Sequence, residues 1–239
     1  MGNEQEDQPD SQPRMASAPD AVHIHRKNRL LIATTNSAKL AEYRLLLRPL
    51  ELEVLSLSDV GIAARAPETG PTFEENARLK AAFYFARANT ATLADDGGLE
   101  VDALGGAPGV QSHRWLDAPA AGRTSGHASD RELAEGVIRR MAGVEPGRRT
   151  ARLATAAALV FREGGLARES VAEAAFEGII ADRCYPEIRP GFPYRAVLFI
   201  PERGRYFAEL GAEEEARLSQ RRKLIEKLGD DLKRLAARA

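Results

Sequence analysis

The chain has 239 residues, 44% hydrophobic and 29% charged, and its 34 Lys and Arg against 35 Asp and Glu leave a formal charge of −1. This composition fits an ordinary globular protein of one large or two small domains, and it excludes a strongly basic nucleic-acid binder and an acidic solvating tail. The lone cysteine, Cys184, excludes a disulfide framework and a multi-thiolate zinc site. No apolar run approaches the ~20 residues of a membrane span. The expectation is a soluble cytoplasmic protein with neither nucleic-acid nor membrane partners. Residues 1–28, rich in Gln, Asp, Pro, Ser and Ala, have no apolar period and read as a disordered tail, leaving 29–239 as one folded domain.

Residues 30–34 read as a short buried strand. Thr35-Asn36-Ser37 follows as a turn, with Ser37 capping a helix to about Arg48 that carries Leu40, Tyr43, Leu46 and Leu47 on one face. Residues 52–55 form a second strand, so the chain opens as β-turn-α-β, the start of an α/β fold. A Gly/Pro loop at 67–71 leads to Thr72 and Glu75, a capping pair for a helix to about Ala88. Asn76 and Lys80 share a face of that helix at i, i+4. Residues 91–94 read as a strand ending in Asp95-Asp96-Gly97-Gly98. An extended piece at 99–104 and a second Gly-rich loop at 105–109 follow. Ser129 and Glu132 frame another capping box, for a helix to about Met141. Segments 151–162 and 171–181 are long and apolar, joined through Gly164-Gly165 in a hairpin pattern, and 196–200 is a further strand. A closing helix from about Ala212 carries Leu218, Ile225, Leu228, Leu232 and Leu235 as one stripe, with Arg221-Arg222-Lys223 as a solvated face.

Three polar clusters lie where strands hand over to turns. In Thr34-Thr35-Asn36-Ser37-Ala38-Lys39, backbone N–H groups, the helix dipole and an ammonium favour an anion, with phosphate the natural guess. An ordinary strand-to-helix turn with a surface lysine has the same composition. Asp95-Asp96 offers two hard oxygen ligands of the kind Mg²⁺ takes together with substrate phosphates, and the glycines allow close approach to the backbone. The four residues are equally those of a plain turn. Glu68 with Lys80 offers a metal ligand and a phosphate partner, or a salt bridge. His113 and His127 lack metal-ligand spacing, Cys184 has no histidine nearby, and Trp115 reads as a packing residue.

Together these clusters resemble the inosine triphosphate pyrophosphatase family. The family's A-T-G-N-x-G-K is here Ala33-Thr34-Thr35-Asn36-Ser37-Ala38-Lys39. Its E-T-G-x-T-F-x-E-N-A-x-x-K-A is matched at every specified position from Glu68 to Ala81. D-D-S-G-L reads Asp95-Asp96-Gly97-Gly98-Leu99, and G-x-P-G-x-x-S-x-R runs from Gly106 to Arg114. The resemblance implies an α/β fold with two lobes around a long mixed β-sheet, an active-site cleft between the lobes, and a homodimer. It implies cleavage of a purine nucleoside triphosphate (ITP, dITP or XTP) between the α and β phosphates. By motif position Thr34, Thr35, Asn36, Lys39 and Gly97 contact substrate. Glu68, Asp95 and Asp96 surround Mg²⁺ (oxygen ligands do not separate it sharply from Mn²⁺), while Asp96 is the general base and Lys80 its catalytic companion.

The departures from the family are specific. Thr35 and Ala38 replace two glycines, and a Cβ is strained at either place if φ is positive. Gly97 removes a hydroxyl. The family's G-F-G-Y-D-P reads Gly191-Phe192-Pro193-Tyr194-Arg195-Ala196, its Lys ahead of S-H-R falls at Glu215, and S-H-R itself is Ser219-Gln220-Arg221. By resemblance this part grips the base, with Phe192 stacking and Tyr194, Arg195, Gln220 and Arg221 around it. Two of its positions have reversed charge. Two alternatives follow: a pocket shifted to another nucleotide, and a binding protein that no longer turns over.

Overall fold

Strand β1 (Arg29–Ile32) lies between β2 (Glu53–Leu55) and β3 (Ala91–Val101) and runs parallel to both. From β3 the sheet continues antiparallel through β4 (Thr150–Glu163), β5 (Leu166–Ile180), β6 (Leu198–Ile200) and β7 (Arg205–Tyr206), giving one mixed seven-stranded sheet in an α/β fold. The structure, a computed structural model, describes residues 28–117 and 127–237. The tail assigned to residues 1–28 therefore lies outside the described residues except at Asn28, which already belongs to the fold: its carbonyl accepts from Glu53 N at 2.8 Å. Among the described residues no helix is long and apolar enough to cross a membrane.

The apolar run of β1 is continuous because both of its faces are covered. Leu30 and Ile32 pack with Tyr43 and Leu47 of α1 (Ser37–Leu47) and with Leu224 and Leu232 of the C-terminal helices. Leu31 and Ala33 pack on the other face, against Phe73, Ala77 and Ala81 of α2 (Phe73–Ala88). A third core joins the far ends of β3, β4 and β5 to Leu133 and Val137 of α3 (Asp130–Arg140). Trp115 packs against that core with Arg140 stacked 4.2 Å from its ring centre, the packing role expected of it.

Local signals explain most boundaries. Thr72 Oγ1 accepts from Glu75 N, and the Ser129–Glu132 capping box forms in both directions. Gly164 and Gly165 both take positive φ in the tight turn between β4 and β5. Three expectations need correction. The cap of α1 is Asn36 and not Ser37: Asn36 Oδ1 accepts from Ala38 N at 2.9 Å and Lys39 N at 3.2 Å. The closing helix is three helices, α4 (Ala212–Leu218), α5 (Gln220–Lys227) and α6 (Gly229–Ala236). It breaks at Ser219, which is extended and whose hydroxyl caps α5 by accepting from Arg222 N. That break turns Gln220 and Arg221 inward while Arg222 and Lys223 remain outside.

The third correction concerns β3, which does not stop at Asp95 but pairs with β4 continuously from Thr92↔Val160 to Val101↔Ala151. Its glycines serve close approach and not a turn. A Cβ on Gly98 would collide with the Ser112 side chain, and one on Gly97 would lie 2.6 Å from the Ala154 carbonyl oxygen. Because the strand continues, Asp95 and Asp96 point to opposite faces of the sheet.

Candidate active site

On the α2 face, Asp96 receives both polar residues of the i, i+4 pair. Asn76 Nδ2 donates to Asp96 Oδ2 at 3.1 Å, and Lys80 Nζ donates to Asp96 Oδ1 at 3.0 Å. The same ammonium lies 3.3 Å from Glu68 Oε1. Asn76 also accepts from Gly70 N at 2.8 Å, which fastens the loop carrying Glu68 to the helix carrying Lys80. Burial works against the charge on Lys80, but Asp96 and then Glu68 outweigh it and hold the ammonium above its usual range. Asp96 is buried and Glu68 exposed, so the group opens to solvent on one side.

The opposite face carries a buried chain of alternating charges. Asp95 accepts from Lys39 Nζ at 3.3 Å and from Arg221 Nε at 3.0 Å. Arg221 reaches Glu42 Oε2 at 3.2 Å, and Arg195 reaches the same oxygen at 2.9 Å. Arg195 pairs in turn with Glu215, which also accepts from Arg189. Burial works against the Asp95 carboxylate, yet Lys39 and Arg221 hold it well below the ordinary carboxylate range. Burial likewise opposes Glu42, and Arg221 and Arg195 lower it all the same. The two positions of reversed charge are therefore each other's partners: Arg195 and Glu215 form a charge-swapped pair, and around each of them two opposite charges outnumber the one like charge, Arg221 beside Arg195 and Glu42 beside Glu215.

A cleft opens beside this chain, lined by Lys39, Gly97, Gly98, His113, Thr155, Phe192, Tyr194, Arg195, Gln220 and Arg221 among others. Six residues assigned from the sequence thus meet along one cavity with Gly97, though with different freedom. The Arg195 guanidinium is stacked 3.5 Å from the centre of the Phe192 ring and committed to two carboxylates. It braces Phe192 from behind and does not stand open to a base. Tyr194 is buried, with its hydroxyl donating to the Ser112 carbonyl. Burial pushes that phenol well above its usual range.

The structure does not bring the remaining assigned residues to one point. Asp95 stands apart from Glu68 and Asp96, its carboxylate spent on Lys39 and Arg221. Asn36 uses its oxygen to cap α1 and its amide to donate to the Gly191 carbonyl at 3.0 Å, so it ties the turn after β1 to the Phe192 loop. Thr34 Oγ1 accepts from Asn36 N at 3.1 Å, and Thr35 is exposed. The strain anticipated at Thr35 and Ala38 is absent, because neither has a positive φ. Sequence reasoning missed Glu42, the carboxylate that joins Arg195 to Arg221. Its signal was a position one turn after Lys39 on α1. It also set His113 aside for want of metal-ligand spacing, although that residue lines the cleft.

An oxygen-only donor set fits a hard cation. Glu68 and Asp96 converge on one positive centre, the Lys80 ammonium, as they would on Mg²⁺. Among the described residues no group of three or more His, Cys, Asp or Glu side chains forms a metal cage.

The Ham1 family model matches residues 30–231. The chain is 38% identical over 204 residues to the dITP/XTP pyrophosphatase of Thermus thermophilus, covering 85% of this chain and 91% of that one. It is 40% identical over 201 residues to the dITP/XTP pyrophosphatase of Geobacillus kaustophilus, covering 84% and 92%. Among solved structures, a HAM1 protein from Coxiella burnetii matches with a TM-score of 0.72 at 30% identity over 87% of this chain and 99% of that one. The matched span runs from β1 into α6 and takes in both faces of the site: the chain belongs to the Ham1 family.

Proposed function

We propose that this protein hydrolyses deaminated purine nucleoside triphosphates (dITP, ITP and XTP) to the nucleoside monophosphate and pyrophosphate, clearing them from the nucleotide pool. The carrying observation is the Glu68–Lys80–Asp96 group, fixed by Asn76 and set directly before the two glycines that border the cleft. Family membership and the names of the relatives agree with it.

In this reading the molecule has two lobes around the sheet, and the nucleotide lies in the cleft between them. Its nucleoside lies against Phe192, Tyr194 and Gln220, with Arg195 and Arg221 behind them. Thr34, Thr35 and Lys39 face the phosphates, with Asn36 holding their turn to the Phe192 loop. Asp96 positions a water and takes its proton. A bond then forms from the water oxygen to phosphorus, and the bridging bond between the α and β phosphates breaks. Lys80 holds Asp96 in place and faces the phosphate charge. Glu68 and Asp96 would hold Mg²⁺ or Mn²⁺, which when bound supplies neutralisation of triphosphate charge. Asp95 serves the site indirectly, by holding Lys39 and Arg221. The protein is proposed to act as a homodimer in the cytoplasm.

The reversed charges at 195 and 215 motivated a shifted pocket, and the changes at 35, 38 and 97 motivated a protein without turnover. The pairing of Arg195 with Glu215 and the unstrained turn at Thr35 and Ala38 weigh against both. Product analysis tests the reaction type. With dITP and Mg²⁺, phosphorus NMR is expected to find one pyrophosphate per monophosphate. A diphosphate with orthophosphate would contradict the proposal.

A further inference from the structure

Several buried side-chain oxygens among the described residues have no hydrogen-bond partner. Two of them, on Thr155 and Gln220, belong to residues that line the cleft. A buried polar atom left unsatisfied is costly, so such atoms call for an explanation.

Thr155 is the more informative of the two. It lies on β4 directly across from Gly97, the residue after Asp96, and the residue is 3% exposed. Its hydroxyl stands where a side chain on residue 97 would begin: a Cβ there would be 2.5 Å from Thr155 Oγ1. Only glycine at 97 leaves room for this buried hydroxyl, and the closeness of the Ala154 carbonyl keeps β3 from carrying a side chain at that point. By strand alternation Thr155 shares its face with Leu153 and with the side of the sheet that meets α5, where Gln220 and Phe192 border the same cavity. That is the side assigned above to the nucleoside and not the side of Glu68 and Asp96.

We infer that Thr155 is a substrate-binding residue whose hydroxyl donates to an acceptor on the nucleoside part of the bound nucleotide. This rests on the reading of the cleft as a nucleoside triphosphate site. The bond is proposed to act as uniform binding, equally strong before and in the transition state. Its loss raises KM and leaves kcat in place.

The test compares Thr155→Val, which keeps the shape and removes the hydroxyl, with Thr155→Ser, which keeps the hydroxyl. Steady-state kinetics with dITP and ITP are paired with calorimetric binding of inosine monophosphate and of pyrophosphate. Thr155→Val is expected to raise KM and weaken monophosphate binding about three- to tenfold, the worth of one neutral hydrogen bond, with pyrophosphate binding and kcat unchanged and Thr155→Ser close to wild type. Unchanged KM and monophosphate affinity in Thr155→Val would overturn the inference. So would equal losses in the two variants, which would mean packing, or a loss confined to pyrophosphate, which would move the contact to the phosphates. If wild-type protein released no pyrophosphate, the proposed reaction would fail, while monophosphate binding would still decide the role of Thr155.

Discussion

Arg195→Asp is expected to destabilise the protein by about 3–5 kcal/mol, the cost of breaking a buried ion pair and leaving its partner uncompensated. The wild-type guanidinium separates Glu42 from Glu215, and both are buried. Replacing it with a third carboxylate leaves, among the described residues, Arg221 as the only cation bonded to Glu42 and Arg189 as the only one bonded to Glu215. Glu215→Lys alone fails for the mirror reason, placing an ammonium between Arg189 and Arg195. The double variant Arg195→Asp with Glu215→Lys restores opposite charges in the orientation the family motif shows, and it is expected to recover at least half of the loss. Urea denaturation of the four proteins gives the coupling directly. Strict additivity of the two single losses would mean that the swapped pair is not a unit.

The second large effect is catalytic. Asp96→Asn is expected to lower kcat by about 10²–10⁴, the usual worth of a positioned general base, with little change in melting temperature. The amide keeps the shape of the carboxylate, and Glu68 still faces the Lys80 ammonium. Asp95→Asn is expected to behave in the opposite sense. It removes the carboxylate held by Lys39 and Arg221 on the other face of the sheet, so its first consequence is lost stability. Measuring kcat and melting temperature for the two variants separates the adjacent aspartates into a chemical and a structural role. An Asp96→Asn enzyme with wild-type turnover would remove Asp96 from the mechanism.

That separation was not legible in the sequence. Asp-Asp-Gly-Gly has the composition of a turn, and only the approach of Ser112, Thr155 and the Ala154 carbonyl explains the glycines within a continuous strand. Once the strand continues, its two-residue period sends the carboxylates apart. What was legible depended on local spacing. Asn76 and Lys80 at i, i+4 do meet one ligand, the capping signals at Thr72 and Ser129 hold, and the Gly164-Gly165 hairpin sits where its residues put it. The family motifs supplied the remainder of the α/β fold. The charge chain was out of reach because its links span the sequence: Glu42 meets Arg195 and Arg221 across 153 and 179 positions. Reversed charge at Arg195 and Glu215 therefore read as two independent departures, whereas in space they cancel.

On the proposed function, this cancellation preserves the pocket, so that an altered recognition segment still selects deaminated purines. This is tested most directly by pyrophosphate release from wild-type protein with Mg²⁺, comparing kcat/KM for dITP, ITP and XTP with the values for dATP, dGTP and their ribonucleotide counterparts. The deaminated purines are expected to be preferred by at least about tenfold, the scale of one discriminating hydrogen bond. Equal or better turnover of the standard nucleotides would contradict it, and would mean that Arg195 and Glu215 reshape the pocket they brace.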